Sequence, residues 1–259
     1  MRLSLSGRVL QGAGEMSTPE FIHLARDTGF DLVELRANQV PLESTETELA
    51  ELRRILDEAG VGVSMIVVGD AGQAISWVGV ARALGATCLR VSGTVEALSA
   101  AAETFPADLR LVFQMHSGSP FENVALARKS LTRISSDRFG LMPEPANLLF
   151  AGETWGDELF VPLEGRIYGC NAQSIALDPE SDAEVVMSDG RRVPYSRCAW
   201  PDNAALGFPA FVAALRAVGY DDFINFIDPS HPDMSVQELA GSTAAYARQV
   251  LGGVVGRDR

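Results

Sequence analysis

The sequence predicts an α/β fold, a single (β/α)₈ barrel spanning residues 1–259. Strand-like apolar runs alternate with helical patterns through most of the chain, which calls for parallel strands joined by crossover helices. A length of 259 residues is close to the roughly 250 that one such barrel takes. Near the C-terminus, Leu206–Tyr220 reads as a helix stopped by Gly219, and Phe223–Asp228 as the buried strand after it. That is the last α-to-β passage of a barrel. An open doubly wound sheet shares the alternation, but no G-x-G-x-x-G follows the first strand.

The elements follow in order. Arg2–Ser6 is the first strand. Ser17-Thr18-Pro19-Glu20 is a capping box with proline in the first turn, opening a helix to Thr28 that Gly29 stops. Asp31–Arg36 is the second strand, and Thr45 with Glu48 opens a helix carrying Leu49, Leu52, Ile55 and Leu56 on one face as far as Gly60. Val61–Val68, apolar at nearly every position, is a third strand covered on both faces. A helix over Ala74–Leu84 leads to the fourth strand, Cys88–Val91. Leu109–Met115 is the fifth strand, followed by a helix over Pro120–Ile134. Phe139–Met142 is the sixth, with only a short helix and a loop around Trp155 after it; Arg166–Ala172 is the seventh and Phe223–Asp228 the eighth. The last helix starts at the capping box Ser235–Glu238 and runs to about Leu251.

One segment breaks the rhythm. Asp178–Asn203 is long and polar, and Asp189-Gly190 between short apolar runs signals a two-residue hairpin. The insertion follows the seventh strand, on the barrel face that carries active sites. It reads as a lid bringing Tyr195 and Trp200 inward, or equally as a surface flap or a subunit contact.

Composition narrows the partners. The formal charge of −13 repels phosphate backbones, and no run of Lys or Arg reverses this locally. A small-molecule substrate is expected, with no nucleic acid and no membrane; a homo-oligomer stays open. No apolar stretch approaches the roughly 18–20 residues that span a bilayer, and no signal pattern opens the chain, so a cytoplasmic location is expected. Cys88, Cys170 and Cys198 are far apart, which reads as reduced thiols.

Several segments together resemble the sugar phosphate isomerase/epimerase family, the xylose isomerase-like TIM barrels of carbohydrate metabolism. They are Gly29–Arg36, Leu84–Val91, Leu111–His116, Gly140–Asn147, Gly165–Ser174 and the passage Leu206–Asp228. The resemblance implies a divalent ion at the C-terminal mouth, held by two glutamates, an aspartate and a histidine. It also implies proton shuttling between neighbouring carbons by the glutamates. Here the matching positions hold Gln114, Glu144, Asn171 and Ile227. One carboxylate, two amides and an alkyl group make a degenerate metal site, so no tightly bound metal and no cofactor are expected, a divalent ion being disfavoured.

The resemblance therefore implies isomerisation, epimerisation or elimination on a polyhydroxylated or keto molecule, without a metal. Glu144 and His116 are the acid/base candidates, because a carboxyl buried without its cation has a raised pKa. Alternatively, backbone amides or an arginine hold Glu144. Gln114, Asn147 and Asn171 are candidates to bind substrate oxygens, and Tyr195 and Trp200 to approach the substrate from the insertion. Glu34 either bonds a substrate hydroxyl or orders Arg36 or Arg90. Asp228 and His231 form a dyad, join His116 and Glu144 in a shifted metal site, or are plain loop surface. His23, inside an apolar helix stretch, is structural. The rival functions are a non-catalytic binding barrel or partner subunit, and a metal-dependent isomerase with that shifted site.

Overall fold

The structure, a computed structural model, describes residues 1–11, 16–229, 231 and 233–253. Its strands are β1 (Arg2–Ser6), β2 (Leu32–Arg36), β3 (Gly62–Asp70), β4 (Cys88–Ser92), β5 (Arg110–Gln114), β6 (Phe139–Met142), β7 (Asn171–Ala172), β8 (Ile175–Leu177), β9 (Glu184–Val186), β10 (Arg192–Arg197) and β11 (Phe223–Phe226). Eight of them form a parallel sheet in the order β6-β5-β4-β3-β2-β1-β11-β7. Backbone bonds Leu141 N to Arg166 O (2.7 Å), Tyr168 N to Leu141 O (3.0 Å) and Asn171 N to Pro143 O (3.1 Å) tie the two ends together, so the barrel is nearly closed.

The helices are α1 (Thr18–Thr28), α2 (Glu46–Ala59), α3 (Val78–Leu84), α4 (Val95–Thr104), α5 (Val124–Leu131), α6 (Pro145–Phe150), α7 (Phe208–Ala217) and α8 (Val236–Gly253). The three predicted capping boxes form: Ser17 with Glu20, Thr45 with Glu48, and Ser235 with Glu238 exchange side-chain and backbone bonds. Among the described residues, no helix is long and apolar enough to cross a membrane.

Three boundaries differ most from the sequence reading, which also did not name α4. The α5 helix starts at Val124 rather than Pro120, because the Asn123 side chain takes the cap and accepts from Leu126 N (2.8 Å). The expected start of the third helix is wound as a 3₁₀ turn over Ala71–Trp77. The seventh strand shrinks to Asn171–Ala172, with one bridge at Ile167. There the chain runs close against β6: a Cβ on Gly140 would overlap the Tyr168 ring and lie 2.8 Å from Arg166 O. Only glycine admits so close an approach.

Side chains alternate across each strand, and the barrel interior is layered accordingly. Leu32, Met65, Cys88, Val112, Met142 and Phe223, one from each of six strands, close its floor together with Tyr168. Two residues further along their strands stand Glu34, Arg90, Gln114 and Asn225, so polarity begins one layer above the floor. The larger apolar core lies outside the strands, under the helices.

The insertion forms a three-stranded antiparallel sheet in the order β8-β10-β9, whose first strand starts at Ile175, ahead of the Asp178 expected. Its hairpin exists but is looser than the two-residue turn expected: Met187 N bonds Arg191 O (2.9 Å) around Ser188-Asp189-Gly190, with Gly190 at φ +85°. This is a three-residue loop with glycine in the left-handed position.

Candidate active site at the barrel mouth

The C-terminal ends of the strands gather the polar residues. Glu34 lies within the buried part of β2 and has no exposed surface. Its carboxylate accepts from Ser6 Oγ (2.5 Å) and Asn225 Nδ2 (2.8 Å). Arg36 Nη1 and Arg90 Nη1 each stand 3.5 Å from one of its oxygens. Glu34 thus contacts both of the arginines that the sequence reading named for it. Asn225 also donates to Asn171 Oδ1 (3.0 Å), and among the described residues Asn171 Nδ2 and Asn225 Oδ1 are buried without a partner.

Glu144 caps α6. Its two oxygens accept from Ala146 N (3.0 Å), Asn147 N (2.9 Å), Gln173 N (3.2 Å) and the Asn147 side-chain amide. It has no exposed surface. Burial pushes its carboxyl up to about 7, with the three backbone amides and the Asn147 side chain pulling the other way. The carboxyl expected to be a free acid/base group is therefore a shielded helix cap, tied to backbone amides. Asn147 is equally engaged: its Oδ1 accepts from Ser117 N (3.1 Å) and Ser117 Oγ (3.0 Å). Beside that loop His116 is exposed, its Nδ1 donating to Ser117 O (2.9 Å). Among the described residues it bonds no carboxylate, and no hydrogen bond joins it to Glu144.

The four positions where the resemblance implies a metal do not suit a divalent cation. The lone pairs of Glu144 that such an ion needs are already held by N–H groups, Asn171 Oδ1 is taken by Asn225, and Ile227 has no donor atom. The shifted set His116, Glu144, Asp228 and His231 is not assembled either: among the described residues, no three His, Cys, Asp or Glu side chains are placed to hold a metal ion.

A different wall of the mouth is open. Tyr195, Arg197, Trp200, Asp228 and His231 line a cavity of about 370 Å³ between the insertion and the loop after β11. Asp228 is half-buried there; its Oδ1 accepts from Ser174 N (2.8 Å) and its Oδ2 from Trp200 Nε1 (2.6 Å). Burial raises its pKa, against the pull of Ser174, Trp200 and the charges of Arg197 and Arg8. His231 Nδ1 accepts from Asp233 N (3.2 Å), which leaves the ring proton on Nε2. Trp200 serves the core as well, its ring lying 4.8 Å from Phe208 and 5.3 Å from Phe226.

The insertion is pinned rather than free. Ile175 and Met187 pack with Ala146 and Phe150 of α6, and Tyr195 stands 5.2 Å from Phe150. The hairpin tip is held by Glu122, which accepts from Ser188 N (2.7 Å), Ser188 Oγ (2.7 Å) and Gly118 N (2.6 Å). Glu122, Ser6, Ser174 and Asn225 escaped the sequence reading. The signal for Asn225 was available: it shares the inward face of its strand with Phe223 and Ile227.

The reading that no basic cluster stands out holds for the linear sequence only. In three dimensions Arg36 and Arg90 flank Glu34, Arg197 lines the cavity beside Asp228, and Arg8 sits on the turn that leaves β1. Burial lowers the pKa of Arg8 and Arg90, with smaller effects of Arg197 and Arg36 on Arg8 and of Arg36 and Arg8 on Arg90.

No protein-family profile matches the chain, and no curated protein matches it in sequence. Solved structures do. A xylose isomerase domain protein from Alicyclobacillus acidocaldarius is 15% identical with a TM-score of 0.76, covering 99% of this chain and 100% of that one. The IOLI protein with a bound zinc atom is 14% identical with a TM-score of 0.73, covering 98% and 99%. A D-psicose 3-epimerase is 13% identical with a TM-score of 0.68, covering 98% and 100%. The fold is a xylose isomerase-like TIM barrel.

Proposed function

We infer that this xylose isomerase-like barrel is an enzyme that moves a proton at a carbon of a polyhydroxylated or keto small molecule, using Asp228 in place of a metal-bound site. The D-psicose 3-epimerase of the same fold supports the reaction class, and the cavity wall supports the residue. One observation carries the reading: Asp228 is the mouth carboxylate that is both accessible to a ligand and raised in pKa.

In this scheme the Asp228 carboxylate takes a proton from the carbon beside a carbonyl. The C–H pair becomes the new C=C bond, and the carbonyl pair moves onto its oxygen. Return of the proton to either carbon, or loss of a neighbouring hydroxyl, gives isomerisation, epimerisation or elimination. Trp200 Nε1 and Ser174 N hold the carboxylate in place, and His231 Nε2–H is the nearby donor. Glu144 and Asn147 tie α6 to Gln173 and Ser117 at the mouth.

The test is exchange of carbon-bound hydrogen in D₂O, followed by mass across ketoses, sugar acids and keto acids. Exchange with one of them that disappears in Asp228→Asn, with the fold intact, supports the reading. Exchange that survives Asp228→Asn refutes it. The full engagement of Glu144 by four N–H donors favours a second reading, a barrel that binds without turnover. It predicts saturable binding with no exchange.

A further inference from the structure

In a chain of net charge −13, four guanidinium groups converge on the mouth from distant parts of the sequence. Strand register sets two of them level: Arg36 of β2 and Arg90 of β4 both pair with Val67 of β3. They straddle Glu34 at 3.5 Å on its two oxygens. Arg8 sits on the 3₁₀ turn Gly7–Leu10 that leaves β1, and Arg197 ends β10. Among the described residues neither Arg8 nor Arg197 forms a salt bridge. The charged groups that act on Arg8 are Arg197, Arg36, Asp228 and Glu144. Glu34 pairs with two of the four guanidinium groups, and like charges gathered at one mouth favour the binding of an anion.

The surroundings fit a ligand. Arg197 lines the cavity of about 370 Å³ and Arg36 a second one of about 400 Å³, both of small-molecule size. Beside Glu34, Asn171 Nδ2 and Asn225 Oδ1 are a buried donor and acceptor without partners among the described residues. Guanidinium groups present paired N–H donors that match the two oxygens of a carboxylate or phosphate.

We propose that Arg8, Arg36, Arg90 and Arg197 form an oxyanion-binding site at the barrel mouth, which holds the carboxylate or phosphate group of a small-molecule ligand. The assignment rests on the reading of the mouth as a small-molecule site and names the charge of its ligand.

Calorimetric titration with inorganic phosphate and, separately, malonate tests it on the full chain. At least one of the two binds stoichiometrically, and which one distinguishes a phosphate from a carboxylate ligand. Arg8→Gln and Arg197→Gln each weaken that binding by roughly tenfold or more, the loss of one charge-assisted contact. Arg82→Gln, on the outer helix α3 and paired with Asp108, leaves it unchanged. Because Arg8 and Arg197 have no salt bridge to lose, both variants keep the wild-type melting temperature in anion-free buffer or exceed it. Absence of binding by both probes, or binding indifferent to Arg8→Gln and Arg197→Gln, overturns the proposal. The titration reads no turnover, so oxyanion binding without proton exchange removes the enzymatic reading and leaves this one standing.

Discussion

Replacing Glu34 with glutamine removes the one carboxylate that contacts both Arg36 and Arg90. Glu34 is wholly buried and accepts from Ser6 and Asn225 besides the two guanidinium groups. The amide keeps the shape and one acceptor oxygen but no charge, and the two arginines, each about a quarter exposed or less, are left facing each other. Breaking a buried ion pair by removing one partner costs about 3–5 kcal/mol; the retained acceptor points to the lower end. At about 2–4 °C per kcal/mol for a domain of this size, the melting temperature falls by roughly 10 °C. The assay is urea unfolding at pH 7, read as a shift in midpoint with unchanged slope. A second substitution, Arg90→Met, removes one stranded cation, so the double variant is more stable than the sum of the singles by about 1–3 kcal/mol. A loss below about 1 kcal/mol for Glu34→Gln, or additivity within roughly 0.5 kcal/mol, refutes the argument that Glu34 is the anchor of the arginine cluster.

Glu144 makes stability depend on pH with a definite sign. Its carboxyl holds its proton up to about 7 when folded, against an ordinary value of 4.5, so between those values the folded chain binds more protons than the unfolded one. Stability falls as pH rises through that window, by roughly 3 kcal/mol at about 1.4 kcal/mol per unit; urea midpoints at pH 5 and pH 8 show a flatter dependence in Glu144→Gln, and an unchanged slope contradicts it. Glu122→Gln weakens the hold on the hairpin tip, and hydrogen exchange at Ser188 and Arg191 accelerates by roughly tenfold or more, the loss of one charge-assisted bond; unchanged exchange shows the insertion is held by its apolar face alone. Gly140→Ala sets a Cβ against the Tyr168 ring and 2.8 Å from Arg166 O, a cost of about 1–3 kcal/mol. Adding Tyr168→Ala restores only part of it, since the carbonyl remains; full rescue contradicts the close approach described.

The barrel was legible because its signals are local. Capping boxes at Ser17, Thr45 and Ser235, and apolar strands between them, fix where helices start and strands lie, whatever the tertiary contacts. The seventh strand was overread because its course depends on a distant glycine, Gly140, that the Tyr168 ring covers. The site was half legible. Glu34 stood out as a charge inside an apolar strand, and its two arginine partners lie within reach of the same reading. Glu144 was visible as a residue, but its burden as a helix cap depends on Pro145–Asn147 turning into α6 and on Gln173 arriving from the seventh unit. The arginine cluster was hidden: positions 8, 36, 90 and 197 sit on four elements, with acidic residues between them, so no window of sequence shows a basic patch. Closing the sheet into a cylinder is what brings them together.

Diffraction from crystals soaked in selenate, collected at the selenium edge, puts the nature of the mouth to the most direct trial. An anomalous peak within hydrogen-bonding distance of two or more of the Arg8, Arg36, Arg90 and Arg197 guanidinium groups is the result expected. A mouth with no such peak, or with a divalent cation coordinated by Gln114, Glu144 and Asn171 instead, contradicts it.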